Sequence, residues 1–167
     1  MKILIISDVH GRCEKLSKLL RMHGDSDAIL FLGDGLRDID RLEDIPQTLI
    51  TVRGNCDVFS FGAELVPSER LLCFDKFKIL MMHGHEHCVK AGIGKAVRYA
   101  ASKGADILLY GHTHLRDEKY IDQEDEIFDE IPEHPLYVFN PGSLGDSSSF
   151  GLIQIQNGSV LFSHGTV

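Results

Sequence analysis

Carboxylate, imidazole and amide side chains recur beside glycine at separated places in the chain. These candidate ligands are Asp8, His10, Asp34, Asn55, His83, His112 and His114. They supply two carboxylates, four imidazoles and one amide oxygen, a donor set that suits Mn, Zn, Fe, Co or Ni and contains no thiolate. One carboxylate shared by two ions would place them about 3.5–4 Å apart, the arrangement of two-metal phosphoester hydrolysis. The residue types therefore indicate a metal centre.

Two of the candidate groups are pairs of residues with one residue between them. Asp8 and His10 form one pair, and His112 and His114 form the other. In extended chain, side chains two positions apart point to the same side. We therefore expect each pair to present both of its side chains to one point.

Short apolar runs that are typical of buried strands lie just before most of these polar groups. The runs are Lys2–Ser7, Ala28–Leu32, Thr48–Val52, Phe77–Met82 and Asp106–Tyr110. The first half repeats strand, loop and helix, which predicts a parallel sheet with crossover helices. Ligands bind beyond the carboxyl ends of the strands in such sheets. The fold would therefore gather the candidate ligands at one edge.

Helical stripes and turn signals account for most of the remaining chain. Apolar residues at helical spacing run from Cys13 to Leu20, from Leu36 to Leu42 and from Val89 to Ala101. Asp75-Lys76 and Asn157-Gly158 predict tight hairpins, and Arg70–Phe74 and Leu136–Phe139 predict further strands. There is no internal repeat or linker, so we expect a single domain over residues 1–167.

An acidic segment holds the whole net charge of the chain. Residues 117–133 contain nine acids and one lysine, a net −8 that equals the formal charge of the protein. This balance argues against a basic surface that binds nucleic acid. We expect an acidic loop insertion near 117–135. It would be either a solvated surface loop or a rim that repels anionic substrates.

The cysteines and the apolar runs bear on the location of the protein. The four cysteines show no CxxC pairing, and the early apolar run Ile3–Ile6 is far shorter than the roughly 18 residues of a membrane span. Free thiols and the expected lack of an export signal predict a cytoplasmic protein that does not associate with membranes.

Each candidate ligand taken singly has an ordinary structural explanation. An aspartate after a strand is most often a helix cap, an asparagine after glycine is a turn residue, and a lone histidine is commonly surface or core. Capping does not readily produce five strand ends that all carry ligand-type residues. The chain also contains no GxxxxGK[ST] loop and no Gly-x-Ser-x-Gly elbow.

Five motifs in order resemble those of the calcineurin-like metallophosphoesterases. They are Asp8-Val9-His10, Gly33-Asp34, Gly54-Asn55, His83-Gly84-His85 and Gly111-His112-Thr113-His114. Val52–Asp57 and Asn140-Pro141-Gly142-Ser143 resemble the small, single-domain microbial phosphodiesterase branch. The resemblance implies an α/β fold, a four-layer α/β/β/α sandwich of two mixed sheets with flanking helices.

The resemblance also implies two divalent ions, which would most often be Mn, with Zn, Fe, Co or Ni as alternatives. Asp8, His10, Asp34 and His114 would hold one ion, and Asp34, Asn55, His83 and His112 the other. A hydroxide bridging the ions would attack phosphorus. Asp34, Asn55 and His83 would act in catalysis by positioning the metal and the phosphate.

Several neighbouring residues complete the expected site. Arg12 and Arg53 are candidate phosphate contacts, with structural pairing as the alternative for each. Cys56 stands where much of the family has a histidine thought to act as acid, and a thiol is a poor substitute. His85 and His87 are alternative acids, whereas Asp57 would orient a ligand histidine or a loop backbone group.

The leading hypothesis is therefore a metal-dependent phosphoesterase, most plausibly a phosphodiesterase, acting on a small phosphoester and forming a homodimer. One alternative is a binding scaffold, since the small subunit of the eukaryotic retromer coat resembles the same fold. Another is a DNA-processing nuclease, which the acidic segment disfavours. The sequence does not choose the substrate, the monoester or diester preference, or the metal.

Overall fold

A computed structural model describes residues 1–44, 48–60, 62–123, 125 and 134–167. Its strands are β1 (Lys2–Ile6), β2 (Ala28–Phe31), β3 (Thr48–Thr51), β4 (Glu69–Phe74), β5 (Phe77–Met82), β6 (Ile107–Leu109), β7 (Arg116–Ile121), β8 (Leu136–Pro141), β9 (Ser149–Gln156) and β10 (Ser159–Thr166). Its helices are α1 (Cys13–Met22), α2 (Leu36–Ile39), α3 (Gly94–Ser102) and α4 (Leu144–Ser147). Short 3-10 turns cover Asn55–Phe59, Ala63–Leu65 and His85–His87.

The described strands form two mixed sheets of five strands each. The first has the order β10-β9-β1-β2-β3, in which β1, β2 and β3 are parallel, β9 is antiparallel to β1, and β10 is antiparallel to β9. The second has the order β4-β5-β6-β8-β7, with β5, β6 and β8 parallel between antiparallel edge strands. The prediction of two mixed sheets is confirmed.

Alternate residues of the central strands face different layers of the molecule. Ile3 and Ile5 of β1 pack into a core shared with the second sheet. Leu4 and Ile6 face the other way, toward α1. On the far side, Leu80 and its neighbours on the second sheet pack against α3. The layers are therefore α1, first sheet, second sheet and α3, which confirms the predicted four-layer sandwich.

Both predicted tight hairpins are present. Phe74 pairs with Phe77 across the β4–β5 turn, where Asp75 has φ 54°. Asn157 and Gly158 have φ 52° and 71° between β9 and β10. Positive φ at both central residues is the geometry of a type I′ turn, which asparagine and glycine adopt readily.

The acidic segment differs from the expected loop in its first part. Asp117–Ile121 lie in β7, which pairs with β8 at the edge of the second sheet. The expectation of a loop from Asp117 is therefore wrong for these residues. The pattern of apolar residues did not show the strand because four of its six residues are exposed and only Ile121 is buried. Residues 124 and 126–133 lie outside the described residues.

The structure also describes the cysteines and the lengths of the helices. All four cysteines are free thiols. The longest described helix, α1, has ten residues. Within the described ranges, none of the helices has the length and apolar character needed to traverse a bilayer.

Candidate metal centre

The candidate ligands follow the carboxyl ends of parallel strands in both sheets. Asp8 and His10 come after β1, Asp34 after β2, and Asn55 after β3. His83 follows β5, and the His112–His114 loop follows β6. Because the two sheets pack face to face through a shared core, these strand ends meet along one rim of the molecule.

Seven ligand-type side chains form three overlapping groups at this rim. The groups are Asp8 with His10 and His114, Asp34 with His83 and His112, and His10 with Asp34 and Cys56. Within each group, one ligand atom from every residue lies within 4.8 Å of the others. The first two groups divide the carboxylates and imidazoles into two adjacent sets, and the third connects them.

Individual distances show how close the ligand atoms lie. His114 Nε2 is 3.1 Å and His10 Nε2 is 3.6 Å from Asp8 Oδ1. His83 Nε2 is 3.3 Å from Asp34 Oδ2, which is also 3.9 Å from His10 Nε2. Asp34 therefore lies between the two sets, where a shared carboxylate would stand.

The backbone of this site is left-handed at most of the ligand positions. Asp8, His10, Asp34, His112 and His114 have φ between 48° and 67°. The expectation that extended chain directs both members of each pair to one point is therefore wrong in its geometry. Asp8 and His10 still converge, whereas His112 and His114 belong to different groups. Backbone strain of this kind commonly accompanies functional sites.

Two buried polar atoms at the centre lack a hydrogen-bond partner among the described residues. They are Asp8 Oδ1 and His83 Nε2, and both side chains are 0% exposed. Such atoms carry a desolvation cost of about 1–3 kcal/mol each when nothing binds them. These carboxylate and imidazole atoms lie close together, and each can donate a lone pair to a cation. The residues therefore fit divalent metal ions.

Electrostatic coupling shapes the protonation of the second group. Burial alone would raise the pKa of Asp34, but the close approach and charge of His83, whose Nε2 lies 3.3 Å from Asp34 Oδ2, together with the Cys56 backbone N–H, hold it well below its usual range. Burial opposes protonation of His83, yet Asp34 and Asp8 raise its pKa. Burial and the positive charges of His83 and Lys90 lower the pKa of His112 to about 4. His112 is therefore neutral at pH 7, the form that binds metal.

The rear nitrogens of two histidines are fixed by acceptors. His83 Nδ1 lies 2.7 Å from the Leu32 carbonyl oxygen, and His114 Nδ1 lies 2.5 Å from Asp146 Oδ2. An acceptor at Nδ1 places the proton there and leaves the Nε2 lone pair available for a metal. In both residues Nε2 is the atom that faces the aspartates.

Asp57 organises the loops around Asp34. Its carboxylate accepts the backbone N–H groups of Asp34, Gly35, Leu36 and Gly54 at 2.8–2.9 Å. The expectation that Asp57 orients a loop backbone agrees with these contacts. Gly54 is required at the same place, because an added Cβ would lie 2.1 Å from Asp34 Oδ1.

Asn55 and Cys56 occupy the exposed side of the centre. The Asn55 side chain donates through its amide nitrogen to Cys56 Sγ at 3.3 Å, and the Cys56 N–H donates to Asp34 Oδ1 at 2.7 Å. Burial, followed by the nearby carboxylates of Asp34, Asp57 and Asp8, raises the pKa of the Cys56 thiol to about 11. The thiol is consequently protonated at neutral pH.

The other sequence candidates lie around this core at different depths. Arg12 precedes α1 and lines a cavity shared with Asp146. Arg53 follows β3; burial and then the charge of His83 lower the pKa of His85, and the charge of Arg53 adds a smaller contribution. The His85 ring lies 5.5 Å from that of His83, whereas the ring of His87 packs 4.7 Å from Tyr99. His85 is therefore the nearer of the two histidines to the ligand groups.

The segment after β8 supplies supporting contacts that the sequence analysis did not identify. Asn140 Nδ2 donates to the Gly111 carbonyl and to Thr113 Oγ1, both at 3.1 Å, and so fixes the loop between the two ligand histidines. Ser143 Oγ donates to the Asp8 carbonyl at 2.9 Å and accepts the Asp146 N–H. The Asn-Pro-Gly-Ser motif was the only signal in the sequence, and its spacing does not reveal these partners.

Comparisons with known sequences identify the family of the chain. A family model described as the calcineurin-like phosphoesterase superfamily domain matches residues 1–165. The probable metallophosphoesterase YsnB of Bacillus subtilis is 33% identical over 116 residues, covering 69% of this chain and 65% of the relative. This match thus spans just under two thirds of that relative's length. Phosphodiesterase YfcE of Escherichia coli is 27% identical over 92% of this chain and 87% of its own.

Solved structures share the fold over nearly the whole chain. A predicted phosphoesterase from Streptococcus pneumoniae has a TM-score of 0.76 at 20% identity, covering 99% of this chain and 88% of that one. Vps29 from Entamoeba histolytica, solved with Zn²⁺, has a TM-score of 0.69 at 22% identity, covering 99% and 98%. At these identities the likeness concerns the fold alone.

Proposed function

The chain belongs to the calcineurin-like phosphoesterase superfamily, and from this premise we propose that it is a metal-dependent phosphodiesterase that hydrolyses a small phosphoester. Two relatives support the reaction class, since they are named as a metallophosphoesterase and a phosphodiesterase.

The convergence of the six carboxylate and imidazole ligands carries this proposal. They come from strand ends in two sheets, and two of their buried ligand atoms have no partner among the described residues. A helix cap or a surface turn would satisfy those atoms within the chain. In the proposed metal centre, these two atoms would instead bind the metal ions.

We assign the ligands to two ions. Asp8, His10, Asp34 and His114 would hold one, and Asp34, Asn55, His83 and His112 the other, with Asp34 shared. When bound, two divalent ions lower the pKa of a water molecule and offset the negative charge that develops on the phosphoryl oxygens. Four neutral imidazoles and two carboxylates leave most of the ionic charge available to the substrate.

The chain's own residues prepare this chemistry before any substrate arrives. His83 and His114 hold their protons on Nδ1, so that each Nε2 faces the carboxylates. Ser7 Oγ and the His112 N–H donate to Asp8 Oδ2 at 2.5 and 3.1 Å, which leaves Oδ1 as the ligand atom. Arg12 and Arg53 are the proposed contacts to the phosphoryl oxygens.

Cys56 makes a weak proton donor at the position expected for an acid. Its pKa is raised to about 11, so the thiol releases a proton reluctantly to a leaving alkoxide. We therefore expect faster turnover with leaving groups that depart without protonation, such as aryloxides. His85, whose ring lies 5.5 Å from that of His83 and 6.1 Å from that of His112, is the alternative donor.

Three finer assignments complete the proposal. We assign Mn²⁺ as the native ion because the centre offers oxygen and imidazole ligands, although these also accept Zn, Fe, Co and Ni. The four free thiols favour a cytoplasmic location. A homodimer without stable nucleic-acid binding is the proposed assembly, which light scattering after size-exclusion chromatography tests directly.

Hydrolysis of bis(4-nitrophenyl) phosphate with and without metal tests the function. We expect activity with Mn²⁺ that disappears after chelation and returns when metal is restored. Asp34→Asn removes the shared charge and should lower kcat/KM by at least a hundredfold, whereas Asp75→Asn in the distant β4–β5 turn should not. Equal activity in chelator, or in Asp34→Asn, would refute the assignment. A metal-free protein that binds a partner stably would favour the scaffold alternative.

A further inference from the structure

A polar cavity opens directly beside the metal centre. It has a volume of about 360 Å³ and is lined by the proposed ligands His10 and Asp34 together with residues of α2 and of the Asn55–Phe59 turn, which includes Cys56. Cavities of this size are typical of small-molecule sites. A substituent on a phosphoester bound at the ligands would therefore enter this space.

Polar and charged side chains make up most of the cavity lining. Apart from glycines and Cys56, every lining residue is polar or charged. These side chains offer hydrogen-bonding and charged groups to a substituent, whereas no Leu, Ile, Val, Met or Phe side chain is among the described residues of the lining. The cavity accordingly suits a hydrophilic substituent.

The carboxylates in the lining are turned toward backbone amides. Asp57 accepts four N–H groups, and Asp38 Oδ2 accepts the Gly11 N–H at 2.9 Å. Asp38 is 2% exposed and its other oxygen is enclosed, so neither carboxylate presents an exposed charge to the cavity. Asp34, the third carboxylate, belongs to the metal ligands.

Two guanidinium groups in the lining have no carboxylate partner among the residues that the structure describes. Arg37 donates to the Phe59 carbonyl oxygen, which leaves its positive charge uncompensated. Arg41 has no hydrogen bond or ion pair with any residue in the described part of the chain. Unpaired arginines beside an anion-binding centre are suited to carboxylate or phosphate, which they bind through several N–H donors at once.

We propose that this cavity binds a second anionic group on the substrate, a phosphate or a carboxylate carried by one ester arm, with Arg41 and Arg37 as its contacts. The inference rests on the proposed function, because the scissile phosphate must lie at the metal ligands. It narrows the substrate class to phosphodiesters with an additional negative charge.

A second cavity that is also lined by Gly11 has a different character. Arg12 and Lys15 line it beside Glu14 and Asp146, so its charges balance, and it contains none of the clustered metal ligands. Lys15 Nζ is already occupied by the Leu144 and Gly145 carbonyl oxygens. The second anionic group is therefore assigned to the Arg37 and Arg41 side.

A matched pair of chromogenic substrates tests the proposal. Thymidine 5′-(4-nitrophenyl phosphate) carries one negative charge, and its 3′-phosphorylated form adds a second anionic group to the same framework. We expect the 3′-phosphorylated substrate to have about a tenfold lower KM at similar kcat, which corresponds to one charge-assisted contact. Equal KM values for the two substrates would overturn the proposal.

Arginine variants show whether the preference comes from this cavity. Arg41→Gln should abolish the difference in KM between the two substrates. Arg37→Lys retains charge but loses planar donors, and should weaken the preference in part. Arg21→Gln, on α1 and outside this cavity, is the control. An undiminished preference in Arg41→Gln and Arg37→Lys would refute the assignment.

Calorimetry separates this proposal from the hydrolytic function. If neither substrate is hydrolysed with any divalent metal, the proposed function fails. The Mn²⁺-loaded protein can still be titrated with thymidine 3′,5′-bisphosphate and thymidine 5′-monophosphate. Tighter binding of the bisphosphate that is lost in Arg41→Gln would support the cavity assignment, whereas equal affinities would overturn it.

Discussion

His114 Nδ1 lies 2.5 Å from Asp146 Oδ2, although the two residues are separated by 32 positions in sequence. Their contact lowers the pKa of Asp146, since the hydrogen bond from His114 favours the carboxylate. Ser143 Oγ fixes the Asp146 backbone through its N–H at the start of α4. Asp146 therefore orients the proposed metal ligand His114, although Asp146 is not one of the proposed ligands itself.

Asp146→Asn should weaken metal binding about tenfold, because it removes the anionic acceptor at His114 Nδ1. We expect this loss of metal affinity to lie at the low end of the usual range, because the Asp146 side chain is 64% exposed. Calorimetric titration of the chelated protein with Mn²⁺ measures the change. Asp146→Glu should restore part of the affinity, and Asp75→Asn serves as the control. Unchanged affinity in Asp146→Asn would show that the contact is only structural.

Asp57→Asn should destabilise the fold by about 2 kcal/mol, because an amide cannot accept all four backbone N–H groups and adds a donor where acceptors are needed. Urea unfolding of the metal-free protein gives the free energy of unfolding without any contribution from bound metal. Asp75→Asn, at an exposed turn, should stay within about 0.5 kcal/mol of the unchanged protein. Similar losses in both variants would argue against the role of Asp57.

Divalent metal should stabilise the protein through the same ligands. Mn²⁺ at a hundredfold excess over its dissociation constant should add about 2.7 kcal/mol to the free energy of unfolding. Differential scanning calorimetry before and after chelation detects this as a shift of Tm. The shift should be much reduced in Asp34→Asn, which keeps the shape of the side chain but loses its charge. A Tm that is insensitive to metal would contradict the proposed centre.

Tyr110 makes stability depend on pH in the alkaline range. Burial, and then the Asp117 carboxylate that accepts its hydroxyl at 2.7 Å, raise the pKa of Tyr110. A raised pKa means that the fold favours the neutral phenol, so its contribution is complete below about pH 10 and declines as pH rises further. Tyr110→Phe should therefore reduce the loss of stability between pH 9 and pH 11.

Urea unfolding at several pH values tests this expectation. Lys119 also donates to Asp117, so the comparison must be between variants at each pH. Tyr120→Phe, on the exposed side of β7, is the matched control. If the two variants follow the same pH profile, the Tyr110 contact does not account for the alkaline loss.

The positions of the ligands could be predicted because they depend on a pattern that sequence displays directly. An apolar run followed by glycine and a polar residue marks the end of a buried strand, and five such ends identified the rim. The same logic gave the hairpins, since asparagine and glycine adopt positive φ readily. These features are local, so they are visible in a single sequence.

Features that depend on tertiary contacts could not be predicted in this way. β7 reads as polar chain because its register is set by pairing with β8, and its side chains are mostly exposed. Asp146 is one acid in a Gly- and Ser-rich turn, and only the fold brings it to His114. The left-handed backbone at Asp8 and His112 is stabilised by contacts between sheets, which periodicity does not encode.

The charged character of β7 has a consequence for how molecules of this protein meet one another. The strand ends the second sheet, and its outer side would offer unpaired backbone groups to any neighbouring strand. Such pairing is unfavourable because it would remove charged side chains from water at the interface between the two strands. These side chains belong to the consecutive residues Arg116, Asp117, Glu118 and Lys119. The protein should consequently resist sheet-to-sheet aggregation at this edge, even at high concentration.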